Sequence, residues 1–151
     1  MEAEAKRSVG KTLLRIVFIC YVVWMLWLLF GQRLGTEVYS QELAKSMNLK
    51  PFATIRHFIA LLENNSPGLV THAVINLLGN VVMFVPLGFC LPKIFPKLRS
   101  FLKTFCLCVC IIVVVELVQY CTFLGTCDID DLILNMVGVS IGYFFTKIKL
   151  H

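Results

Sequence analysis

The residues best equipped for chemistry gather in three places. Asp128-Ile-Asp130-Asp131-Leu-Ile-Leu-Asn135 sets three carboxylates at the mouth of an apolar run, Glu116 and Gln119 close another, and His72, Asn76 and Asn80 recur every four positions in a third. Asp131, Asn135, Gly138 and Gly142 fall at i, i+4, i+7 and i+11, one helical face that is polar at the top and glycine-lined below. Carboxylates and amides together are the donor set of a hard cation such as Ca²⁺ or Mg²⁺. A carboxylate beside an imidazole can also move a proton. Four carboxylates with no Lys or Arg among them cannot all stay charged and close without help. Three compensations are open: a protonated Glu116, a bound ligand or cation, or Arg56 or His72 folding over as a partner. Protonation ranks first and an organised ligand site second.

The elements that must position these groups are membrane helices. The chain of 151 residues is 58% hydrophobic and 15% charged, with a mean hydropathy of +0.83, well outside the range of soluble domains. Crossing a hydrocarbon core takes about 20 apolar residues. Four stretches come near that length, 13–30, 70–91, 104–123 and a short one at 132–147. The first could be taken for a secretory signal, but its apolar run is too long and Leu-Leu-Phe30-Gly-Gln-Arg33 offers no small-x-small cleavage site, so it is expected to remain as an anchor.

Charge sets the expected orientation. Lys6, Arg7, Lys11 and Arg15 before or at the first stretch, Lys93, Lys97, Arg99 and Lys103 between the second and third, and Lys147 and Lys149 after the fourth all fall on one side. By the positive-inside tendency this side is cytoplasmic and carries both termini. The net charge of +5 follows from that sidedness and calls for no nucleic-acid partner. Residues 1–12 form a cytoplasmic tail, and 31–69 are an extracytoplasmic loop. Inside the loop, Phe52, Ile55, Ile59 and Leu62 make an apolar stripe behind Pro51, as in a helix lying on the membrane surface or packed over the bundle. The expected fold is all-α, a four-transmembrane-helix bundle with one interfacial amphipathic helix.

Of seven cysteines, Cys106, Cys108 and Cys110 alternate along one helix and cannot share an ion, and Cys121 and Cys127, though near one another at the outer face, are expected to stay reduced. Gly138-Val-Ser-Ile-Gly142 has the small-x-x-x-small spacing of close helix packing. By depth, Asn76, Asn80, Glu116, Gln119, Asp128, Asp130, Asp131 and Asn135 belong to one outer layer of the membrane, and the cost of ionisable groups in lipid turns them toward a shared interior pocket. Interhelical hydrogen bonding, at about 0.6 kcal/mol apiece, explains the asparagines. It explains Glu116 poorly, because a carboxylate is a costly way to make a hydrogen bond. Asp128, Asp130 and Asp131 are open to a purely structural reading as a capping cluster at a positive helix N-terminus. No cofactor is implied, and no firm metal site.

Asn76-x-x-x-Asn80-x-x-x-Phe84-x-Pro86-x-Gly88, with Glu116-x-x-Gln119 and the block from Gly125 through Asp128, Asp131, Asn135 and Gly138 to Gly142, resembles the VanZ-like membrane proteins. Asn48-Leu-Lys-Pro51-Phe52 is similar to a weaker upstream element of the same family, and the resemblance covers about residues 48–145. Where many members carry an arginine before the first aspartate, this chain has Thr126-Cys127. The resemblance implies an integral protein of the plasma membrane, in a family named after a member linked to low-level teicoplanin resistance. Its expected partners are membrane lipids and, at the pocket, a glycopeptide antibiotic or an envelope lipid. A non-enzymatic role ranks first. An intramembrane enzyme with Glu116 or Asp128 as base and His72 as acid is the competing class, and a small oligomeric transporter a third.

Overall fold

The computed structural model describes residues 2–31, 47–63, 67–122, 124 and 127–148; the side chains of residues 2–7 and of His72 lie outside the described part. It is an all-α chain. Helix α1 (Glu2–Leu26) runs on as a π-helical turn (Trp27–Gly31). A two-residue strand β1 (Met47–Asn48) leads into the short helix α2 (Ala53–Leu62). Then come α3 (Pro67–Ile94), a 3₁₀ turn (Pro96–Leu98), α4 (Phe101–Cys121), a second two-residue strand β2 (Cys127–Asp128) and α5 (Ile129–Phe145).

Three helical spans are long and apolar enough to cross a membrane: Ser8–Gly31, Pro67–Ile94 and Phe101–Cys121. α5, with 17 residues, falls just below that length. Two boundaries differ instructively from the sequence reading. α2 ends at Leu62 and Pro67 opens α3, three residues before the expected start at 70, because the N–H a proline lacks is one that the first turn leaves unbonded anyway. Pro51 was expected in the first turn of α2, which instead starts at Ala53, after Phe52 takes a left-handed backbone (φ 64).

The tightest contact in the molecule joins α3 to α5, and glycine makes it possible. A Cβ added at Gly138 would lie 2.0 Å from the Val81 carbonyl oxygen, and one at Gly142 would lie 1.9 Å from that of Val85. Gly88 on α3 returns the fit, with the Val139 carbonyl oxygen 2.0 Å from where its Cβ would be. Two backbones at this separation leave no room for any side chain between them. Around the seam, Met25, Phe84, Leu87, Leu91, Cys108, Ile112, Met136 and Val139 form the buried core. Cys106 and Cys110 face outward while Cys108 is buried, and Cys121 and Cys127 are free thiols. Outside the core the helices are apolar and uncovered: only 6% of the α1 span is buried, with Leu13, Ile16, Val17, Val23 and Trp27 more than half exposed. So much uncovered apolar surface suits lipid, not water.

Among the described residues, two side-chain hydrogen bonds tie α1 and its π-helical turn to the other helices. The Tyr21 hydroxyl donates to the Met83 carbonyl at 2.6 Å, one turn ahead of Pro86, whose missing N–H loosens the helical ladder there. The Gln119 side-chain amide donates to the Leu29 carbonyl at 2.9 Å, satisfying one of the carbonyls that a helix end leaves open. At the other end of the bundle the Tyr143 hydroxyl donates to the Arg99 carbonyl at 2.6 Å and the Thr104 hydroxyl to the Leu98 carbonyl at 2.6 Å, fixing the turn between α3 and α4.

Candidate functional site

Asp130 is fully buried, and its carboxylate is spent on backbone. One oxygen accepts the Phe52 amide at 2.6 Å, and the other accepts those of Thr54 at 2.8 Å and Ile55 at 3.0 Å. α2 has no capping side chain of its own, so an aspartate more than 70 residues downstream caps it. Asp130 also lies in the first turn of α5, which places its charge between two helix N-termini whose dipoles both favour an anion. This compensation was not among the three expected, and it needs neither a proton nor a cation.

Asp128 is used in a similar way. It accepts the Asp130 amide at 2.9 Å as N-cap of α5, and takes the Thr54 hydroxyl and, at 3.3 and 3.4 Å, the Asn48 amide. The parallel pairing of Met47 with Cys127 and Asn48 with Asp128 holds the two segments in register. Asn48 and Thr54, which no depth argument reached, are therefore the partners of the acidic turn. The signal that could have found them was the Asn48-Leu-Lys-Pro51-Phe52 block, which had no job in the sequence reading.

One turn further into the bundle the polar side chains serve another arrangement. The Asn80 amide donates to Asp131 at 2.7 Å, joining α3 to α5. Asn76 and Asn80 from α3 and Gln119 from α4 line a cleft of about 450 Å³ that α1 closes with Tyr21, Trp24, Leu28 and Leu29. Gly79 and Pro86 belong to the same wall, and a Cβ at Gly79 would meet nothing within 4 Å. Glu116 is buried, with 8% of its surface exposed. It lies close enough to Cys127 to act on the thiol: burial first, then the Glu116 and Asp128 carboxylates, push the Cys127 pKa up. Asn135 is buried too, and its side-chain oxygen has no hydrogen-bond partner among the described residues.

The expected outer layer is thus divided. Asp128 and Asp130 lock α2 to the bundle, Asn76, Asn80 and Gln119 face a cleft with Asp131 bonded behind Asn80, and Glu116 and Asn135 are buried. Arg56 is exposed on α2. Among the described residues no group of three or more His, Cys, Asp and Glu side chains is arranged to hold a metal ion.

A bundle of apolar helices with a polar layer confined to one end, and a glycine seam beneath it, defines an integral membrane protein class before any comparison is made. The family model VanZ/LLP1 matches residues 15–150, and the chain belongs to that family. Protein VanZ of Enterococcus faecium is 28% identical over 134 residues, covering 88% of this chain and 73% of that protein. No solved structure matches.

Proposed function

We propose that the chain is a four-span protein of the plasma membrane, both termini cytoplasmic, which lowers the access of glycopeptide antibiotics such as teicoplanin to the cell surface. It does so without catalysis, by holding an amphiphilic envelope lipid in the cleft between α1 and α3. Family membership and the VanZ relative support the antibiotic side of this reading. The observation that carries the binding side is the cleft: apolar walls from α1 and α3 with three amide side chains in the lining suit a molecule with a hydrocarbon part and a polar head.

The fourth span is α5. Its 17 residues cross with local thinning of the bilayer and with Lys147 reaching outward, its ammonium 5.2 Å from the Tyr143 ring centroid. α2 serves as the interfacial helix: Phe52, Ile59 and Leu62 are exposed, while Ile55, Phe58 and Leu61 are half-buried. The cleft's polar lining favours holding over converting. It consists of amides and the Tyr21 hydroxyl, whose proton is committed to the Met83 carbonyl.

The test is expression of the chain in a teicoplanin-susceptible Gram-positive host, with surface-bound fluorescent teicoplanin and growth inhibition measured together. Wild type is expected to reduce drug binding, and Asn76→Leu in the cleft lining, at equal abundance, to reduce it less. If neither wild type nor the variant changes drug binding or susceptibility, the proposal fails.

A further inference from the structure

At the end of α5 opposite the aspartates, two clefts open side by side, of about 300 and 120 Å³. Lys93 and Arg99 line both; Lys147 completes the first, and Lys11 and Arg15 the second. The five cations come from α1, the end of α3, the following turn and the end of α5, and among the described residues no carboxylate lines either cleft. Like charges this concentrated repel one another unless an anion joins them.

Several of these groups are held in place. The Lys93 ammonium stands 3.7 Å from the Phe89 ring centroid, and the Tyr143 hydroxyl fixes the Arg99 backbone. The rest of the lining is largely apolar, with Leu14, Ile94, Pro92 and Pro96 beside the charges. Lys97 and Lys103 belong to the same basic stretch but line neither cleft. A general excess of positive charge on one membrane face would not sort the lysines and arginines in this way.

We propose that this pair of clefts is a binding site for an anionic lipid carrying two phosphate groups, one phosphate in each cleft and both bridged by Lys93 and Arg99. Two adjoining basic clefts with a common cationic wall match a paired anion, and the apolar lining matches the glycerol and upper chain of a lipid. The site is independent of the outer cleft.

The experiment uses the full chain in phosphatidylcholine nanodiscs with small amounts of diphosphatidylglycerol, the retained lipid being counted by native mass spectrometry. Diphosphatidylglycerol is expected to be retained over phosphatidylglycerol at equal total charge, and inorganic pyrophosphate at equal concentration to leave it bound. Lys93→Gln with Arg99→Gln should weaken retention roughly tenfold or more, and Lys97→Gln with Lys103→Gln less than about twofold, since neither residue meets the clefts. Should the first pair lose helix content by circular dichroism, Lys11→Gln with Arg15→Gln on the second cleft carries the same expectation. Equal losses from cleft and control pairs, equal retention of the two lipids, or displacement by pyrophosphate would each overturn the assignment.

Discussion

The two polar levels near the start of α5 use similar residues for different ends. At the upper one, the oxygens of Asp128 and Asp130 are met by donors from β1 and the first turn of α2. At the lower, Asn76, Asn80 and Gln119 border open space. A carboxylate is not evidence of a site merely because it is buried. What separates the two levels is what lies beside the bonded groups: Gln119 donates to the Leu29 carbonyl and Asn80 to Asp131, yet both still line a cleft that Asp128 and Asp130 do not.

The glycines divide along the same line, and they give the largest expected effect. Gly138→Ala or Gly142→Ala drives a Cβ against a backbone carbonyl that cannot swing aside. The loss should reach about 3 kcal/mol, the upper end for overpacking, read as a lower melting temperature and poor recovery of monodisperse protein in detergent. Unchanged melting would mean that α3 and α5 stand farther apart than described.

Next is Asp130→Asn, which turns one accepting oxygen into an NH₂ facing backbone N–H groups. A cost of about 2–3 kcal/mol is expected, with faster amide hydrogen exchange confined to residues 52–55 at the start of α2. Exchange rising equally throughout α5 would contradict the capping role.

The smallest effect concerns Cys127 and locates Glu116. Because the folded thiol holds its proton more tightly than an ordinary one, Cys127 should alkylate slowly at pH 8, followed site by site by mass spectrometry. Glu116→Gln should quicken it, since one of the two carboxylates that raise the pKa is gone. The sign for stability follows: a raised folded pKa contributes stability fully present below the ordinary value of 9.0 and lost as pH rises through the folded value. Alkylation indifferent to Glu116→Gln would separate the two side chains.

Much of this was legible in sequence because it depends on period and composition. The apolar spans, the Asp131 to Gly142 face and the opposition of Cys108 to Cys106 and Cys110 follow from helical geometry alone. The capping of α2 by Asp130 was not legible, since it joins segments more than 70 residues apart and periodicity carries no such information. The reading of Phe52, Ile55, Ile59 and Leu62 as one stripe found the helix and left open which side packs on the bundle. Ile55 faces the bundle with Phe58 and Leu61, while the other three are exposed, a choice set by where Asp130 anchors the helix N-terminus. The arrangement of Asn80 against Asp131 was half visible: depth put them at one level, but only the coordinates pair them.

The claim that the lower level faces a ligand can be tested apart from the fold. At Gly79 an added Cβ meets nothing within 4 Å and projects beside Asn76 and Asn80, so Gly79→Leu should fill the cleft while leaving stability within about 1 kcal/mol of wild type. The decisive measurement is surface-bound fluorescent teicoplanin on cells carrying wild type or Gly79→Leu at matched membrane abundance. Drug binding restored to the level of cells without the protein is the predicted result, and protection undiminished by the leucine would contradict the account.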